Sequence, residues 1–137
     1  MGTPDENESA DRIFTLSEAN RLLPQLQSHL GAVKQGKSVL MQTREEIQRA
    51  SSKAPLGGGS AVGVLYIQAL QQISTNLQAI HEMGVLVKDV DMGLCDFPYL
   101  LDGRTVYLCW KLGEHEIRWW HEIATGYKDR HPLEGTA

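Results

Sequence analysis

Residues 104–122 read RTVYLCWKLGEHEIRWWHE, and how this stretch folds decides the rest. It carries all three tryptophans, one of the two cysteines and two of the five histidines. In its first half, Arg104, Val106, Leu108 and Trp110 fall on one side of an extended chain, and Thr105, Tyr107, Cys109 and Lys111 on the other. In its second half, Ile117, Trp119 and His121 alternate with Glu116, Arg118, Trp120 and Glu122. Leu112-Gly113-Glu114-His115 supplies a turn between them. The pattern predicts a β-hairpin. Matching its apolar rows pairs Lys111 with Glu116, Cys109 with Arg118, Leu108 with Trp119, Tyr107 with Trp120 and Val106 with His121. In that register Cys109 and His121 lie on opposite faces, which argues against a shared zinc ion or a Cys–His catalytic pair.

Upstream, the sequence is helical in pattern. Phe14-Thr15-Leu16-Ser17-Glu18 has the form of a capping box, so Glu18 has a structural reason to be there. Leu16, Ala19, Leu23, Leu26, Leu30, Val33, Leu40 and Ile47 then follow a three-four spacing to about Ala50. Pro24 lies inside this run, removes a backbone donor and crowds the carbonyl of Asn20, so a kink is expected there. A second run, Val62, Tyr66, Ala69, Ile73, Asn76 and Ile80, extends from about Ala61 to Met83, with Gly84 placed to end it. At about 1.5 Å per residue the first helix spans about 54 Å and the second about 34 Å.

The expected architecture is α+β. A long antiparallel two-helix hairpin with a coiled-coil-like seam is followed by a small three-stranded antiparallel sheet. Within one domain over 1–137, residues 1–12 form a mobile acidic tail and 13–84 the helical hairpin, with a flexible loop at 51–60. Residues 85–123 form the sheet and 124–137 an irregular tail. Cys95 to Pro98 is expected to be irregular or an edge, because Pro98 cannot donate to a ladder.

With 137 residues and a net charge of −4, the chain has one real core and no basic face for nucleic acid. No window is apolar enough to cross a membrane. Two cysteines without a Cys-x-x-Cys spacing point to reduced thiols in the cytoplasm. Leu22, Val39, Met41, Val64, Leu65, Leu70 and Leu77 widen the apolar stripe beyond what one partner helix covers. A homodimer through the helices, as a four-helix bundle, is therefore expected.

FTLSEANRLLPQL, GVLVKDVDMGLCDFP and DGRTVYLCWKLGEHEIRWWHE, followed by GYKDRHPL, resemble a small prokaryotic family known only as a domain of unknown function, number 2203. The resemblance runs from Phe14 to Leu133 and brings no reaction with it. It directs attention to Asp89, Gly93, Asp96, Phe97 and Pro98, to Arg104, Cys109, Trp110, Gly113 and Glu114, and to Trp120, His121, Gly126 and Arg130.

Two functional readings follow. In the first, the protein binds a divalent metal or a small anionic ligand at the junction of the bent helix start and the sheet. Asp89, Asp96 and His121 are the candidate metal ligands, since oxygen donors with one histidine suit Mn²⁺, Fe²⁺ or Zn²⁺. Arg104, Trp110, Glu114 and Arg130 are the candidate ligand-binding residues. Cys109 is expected to be a small apolar filler, with Arg118 opposite it able to lower its pKa. Arg104 has a competing role in an ion pair with Asp96 or Asp102. In the second reading the helices act as an interaction scaffold. No phosphate loop, His-Glu-x-x-His or EF-hand pattern is present, and no catalytic residue is assigned.

Overall fold

A computed structural model describes residues 12–53 and 60–133. The expected acidic tail, apart from Arg12, the centre of the expected glycine-rich loop and the last four residues lie outside the described residues. The elements in order are α1 (Leu16–Arg21), α2 (Leu23–Lys53), α3 (Ser60–Glu82), β1 (Leu86–Asp89), β2 (Leu94–Leu101), β3 (Arg104–Lys111), β4 (Trp119–His121), a 3-10 turn (Tyr127–Asp129) and β5 (His131–Pro132). The chain divides into two compact units: Met1–Ser28 with Ala79–Ala137, and His29–Gln78.

In the second unit, His29 Nδ1 lies 2.8 Å from Asn76 Oδ1, and Gln72 Nε2 donates to the Ala32 carbonyl at 2.8 Å. Gly36 packs against Ala69 and Ile73 so closely that an added Cβ would stand 2.9 Å from Ile73 Cγ1. These partners run in opposite order along α2 and α3. Leu30, Val33 and Ala69 are buried.

In the first unit, Thr15 and Glu18 close the capping box in both directions: Glu18 N–H donates to Thr15 Oγ1 at 3.1 Å, and Thr15 N–H to Glu18 Oε1 at 2.9 Å. The helix then breaks at Leu22, two residues before Pro24. A continuous helix would need a Pro24 N–H for the Asn20 carbonyl, and proline has none. Gly84, at φ 89°, ends α3 by donating to the His81 carbonyl at 2.9 Å.

The sheet has five strands rather than three, in the order β1-β2-β3-β4-β5, every neighbouring pair antiparallel. Two parts of the chain supply the difference. Leu94–Leu101 is a full strand between β1 and β3 despite Pro98. The Pro98 carbonyl accepts from Phe14 N–H at 2.8 Å, on the side away from β3. A residue's N and C=O point to the same side of a strand, so the missing donor faces a region where β1 has already ended and costs no ladder bond. At the C-terminal end, where an irregular tail is expected, His131–Pro132 pairs with β4.

The register of β3 with β4 is one residue off the expected one: Tyr107 faces His121, Leu108 faces Trp120 and Cys109 faces Trp119. The reason lies in the connection. Glu114 Oε1 accepts from Lys111 N–H at 2.9 Å, and the Glu114 carbonyl accepts from Trp110 Nε1 at 2.9 Å. Ile117 N–H is taken by Asn20 Oδ1 at 2.8 Å. Residues 112–118 are thus committed elsewhere, and pairing starts only at Trp119. A one-residue slip turns every following side chain to the other face.

One face of the sheet is apolar: Cys95, Phe97, Val106, Leu108 and Trp110 are buried there, and Phe14 sets its ring edge-on to Phe97 at 5.3 Å. Asp96, Tyr107, Cys109, Trp119 and His121 share the opposite face.

Candidate metal centre

The slip brings together two residues that the expected register separates. Cys109 on β3 and His121 on β4 now share a face with Asp96, which lies opposite Cys109 on β2. One donor atom from each, a carboxylate oxygen, the thiol sulfur and an imidazole nitrogen, all lie within 4.8 Å of one another. All three residues are buried, Asp96 and His121 at 2% exposure.

His121 is held by both ring nitrogens. Nδ1 lies 2.7 Å from the Glu122 carbonyl oxygen, and Nε2 lies 3.1 Å from Asp96 Oδ2. A carbonyl only accepts, so Nδ1 carries the proton and Nε2 is the atom turned to Asp96 and Cys109. The same carbonyl accepts from the Thr125 amide at 3.1 Å and the Thr125 hydroxyl at 3.2 Å, which fixes it within a turn. Burial pushes the Asp96 carboxyl above the ordinary range, against the pull of His121 and Lys88. Burial also pushes the Cys109 thiol from 9.0 up to about 12, with the neighbouring Asp96 charge adding to it and Arg130 opposing. Arg118 has no part in this: it is exposed and pairs with Glu116 at 3.1 Å, so the expected lowering of the Cys109 pKa does not occur.

A cavity of about 150 Å³ opens beside the trio, lined by Lys88, Leu94, Thr125, Gly126 and Tyr127 as well as the three donors. No residue of α1, α2 or α3 lines it. The site is therefore on the sheet face under the 125–127 segment, not at the expected helix–sheet junction.

The other candidates are placed as follows. Asp89 is not in the donor group; its Oδ1 accepts from the Met92 amide at 2.9 Å, a turn role. Arg104 pairs with Glu122 across the sheet, rather than with Asp96 or Asp102, and its Nε lies 3.3 Å from Glu122 Oε1. Trp110 is in the apolar core, bonded to the Glu114 carbonyl. One Arg130 nitrogen donates to both Glu114 oxygens, at 2.8 and 2.9 Å, and to the Cys109 carbonyl at 3.3 Å. Its guanidinium lies over the rings of Trp119 and Tyr127, 5.0 and 4.7 Å from their centroids. Trp110, Glu114 and Arg130 are thus one network that secures the β3–β4 connection behind Cys109. Sequence patterning read Cys109 as a filler rather than a donor and did not single out Lys88, Thr125 or Tyr127, while Gly126 came to notice only through the family resemblance. The one local signal bearing on Cys109 is Glu114, three residues beyond Lys111 and placed to take its N–H, which draws the turn out of a simple hairpin; nothing in the pattern marks the cavity wall.

No curated protein and no solved structure matches the chain. The family model of an uncharacterized conserved protein, domain of unknown function 2203 (DUF2203), matches residues 12–133. The chain belongs to this family.

Proposed function

We propose that the protein binds a divalent transition-metal ion of the zinc class through Asp96, Cys109 and His121. The observation that carries this is the convergence of three different buried donor atoms within 4.8 Å, on three neighbouring strands. The His121 arrangement supports it: metal-bound histidines characteristically donate their second ring N–H to a carbonyl or carboxylate, as Nδ1 does to Glu122. Donors about 2.0–2.3 Å from zinc stand about 3.3–3.8 Å apart, so the widest pair has to close by about 1 Å. Binding displaces the proton that burial holds on the Cys109 thiol, and the thiolate and the Asp96 carboxylate then balance the ion's charge. One thiolate and one imidazole favour zinc or cobalt over magnesium or calcium.

The test is titration of metal-free protein with Co²⁺ and Zn²⁺. One ion per chain is expected, with a sulfur-to-cobalt charge-transfer band. Cys109→Ser should abolish the band, and His121→Ala and Asp96→Asn should each weaken affinity at least tenfold, roughly the least that a lost ligand costs. Cys95→Ala, on the opposite face, should change neither. An unaltered affinity in Cys109→Ser would sink the reading.

A second observation concerns the helices. Val64, Leu65, Ile67, Leu70 and Met41 are all exposed, by 41–57%. We propose that α2 and α3 form an antiparallel, coiled-coil-like hairpin and that this face meets a second copy of the chain as a homodimer, in the cytoplasm where both thiols stay reduced. Light scattering at micromolar concentration should give twice the chain mass, and Ile67→Glu half of that. A wild-type monomer contradicts it.

A further inference from the structure

The cavity wall beyond the three donors has its own chemistry. Lys88 and Tyr127 line it, as does Leu94, and Leu94 lies opposite Lys111 across β2 and β3. Lys88 Nζ sits 5.3 Å from the centroid of Tyr107, whose ring meets His121 edge-on at 5.7 Å. Lys111 Nζ sits 5.6 Å from the centroid of Tyr127. Among the described residues, neither ammonium makes a hydrogen bond or close ion pair with a carboxylate, whereas Arg104, Arg118 and Arg130 each do. Lys88 therefore lines the cavity, near enough to Asp96 to pull on its carboxyl, and Lys111 stands just outside it, over the ring of the lining Tyr127.

We propose that the metal ion keeps an open coordination position toward this cavity, and that a small oxyanion, a carboxylate or phosphate, fills it with Lys88 and Lys111 as its counter-charges. This rests on the metal reading above. Three protein donors leave one position of a tetrahedral ion free for water or a ligand. Aspartate and thiolate already cancel the ion's charge, so the field that draws an anion comes from the two lysines. Size limits the class. A cavity of about 150 Å³ exceeds the roughly 30 Å³ share of one water and falls short of the roughly 300 Å³ at which pockets begin to enclose drug-sized molecules. It has room for an ion and an acetate- or phosphate-sized partner.

The test uses the full chain loaded with Co²⁺, titrated with acetate and, separately, with inorganic phosphate at constant ionic strength, following the cobalt d–d bands. A saturable shift with either anion is expected, and which one produces it assigns the class. At saturating Co²⁺, Lys88→Met and Lys111→Met should each weaken the anion about fivefold, and the double variant about twentyfold. The inference is overturned if a cobalt spectrum forms and neither anion moves it, or if the double variant saturates at the wild-type concentration; the metal reading then stands. If no cobalt spectrum forms in the wild-type chain, both fall together.

Discussion

The two faces of the sheet are built from the same strands and are almost equally buried, yet they do opposite things. Phe97, Leu108 and Trp110 on one face, and Asp96, Cys109 and His121 on the other, are all within 2% of full burial. The apolar face gains from leaving water. The polar face loses by it: each donor must find a partner or give up its charge. Burial alone thus says little about what a residue is for. The apolar face tolerates any filling of about the right volume. The polar face depends on one register, because a one-residue shift parts Cys109 from His121.

The largest effect should come from the apolar face. Trp110→Ala removes the biggest side chain of that core and the donor that ties β3 to the Glu114 carbonyl. It should cost about 3–5 kcal/mol in urea unfolding of metal-free protein. A loss below about 1 kcal/mol would mean that this face does not carry the fold.

Much of the apolar side was legible in the chain. Thr15 and Glu18 announced the helix start, Gly84 the end of α3, and the Val106-Leu108-Trp110 alternation the buried row of β3. These signals are local, each completed within a few residues. The site was legible only in part. Asp96 and His121 stood out as candidates, but Cys109 was assigned to the wrong face because the register depends on Asn20, 97 positions away, capturing Ile117 N–H. Pro98 misled for a similar reason: its cost depends on which side of β2 its nitrogen faces, and that is set by Phe14. β5 has two residues and no apolar alternation to betray it.

The next effect is on the polar face. His121→Leu leaves the buried Asp96 carboxyl with only the weak Cys109 thiol as a partner and should cost about 1–3 kcal/mol in metal-free protein. Adding Asp96→Leu removes the carboxyl, and most of that loss should return, since apolar replacement of a buried polar pair is often neutral. Urea unfolding of the two singles and the double, closed as a cycle, reads the coupling. Recovery in the double, with metal affinity gone, would mark the pair as kept for binding and not for stability. Strictly additive losses would remove that distinction between the faces.

The finest comparison uses the two cysteines, one on each face. Both are free thiols, and burial pushes each from 9.0 up to about 12. The unfolded chain releases these protons near pH 9, while the folded chain retains them to about 12. Between those values the folded state binds more protons, so metal-free stability should fall as pH rises through this window. Cys95→Ala and Cys109→Ala should each remove part of that slope, and at pH 7 each should cost about 1 kcal/mol or less, the worth of one small buried group. The proton linkage is thus shared by the faces, while metal binding should be lost in Cys109→Ala alone. If alkaline destabilisation survives in the double alanine variant, it comes from other groups and the thiols are not the protonated buried pair assigned here. If Cys95→Ala also loses the metal, the division of labour between the two faces fails, since nothing on the apolar side should reach the ion.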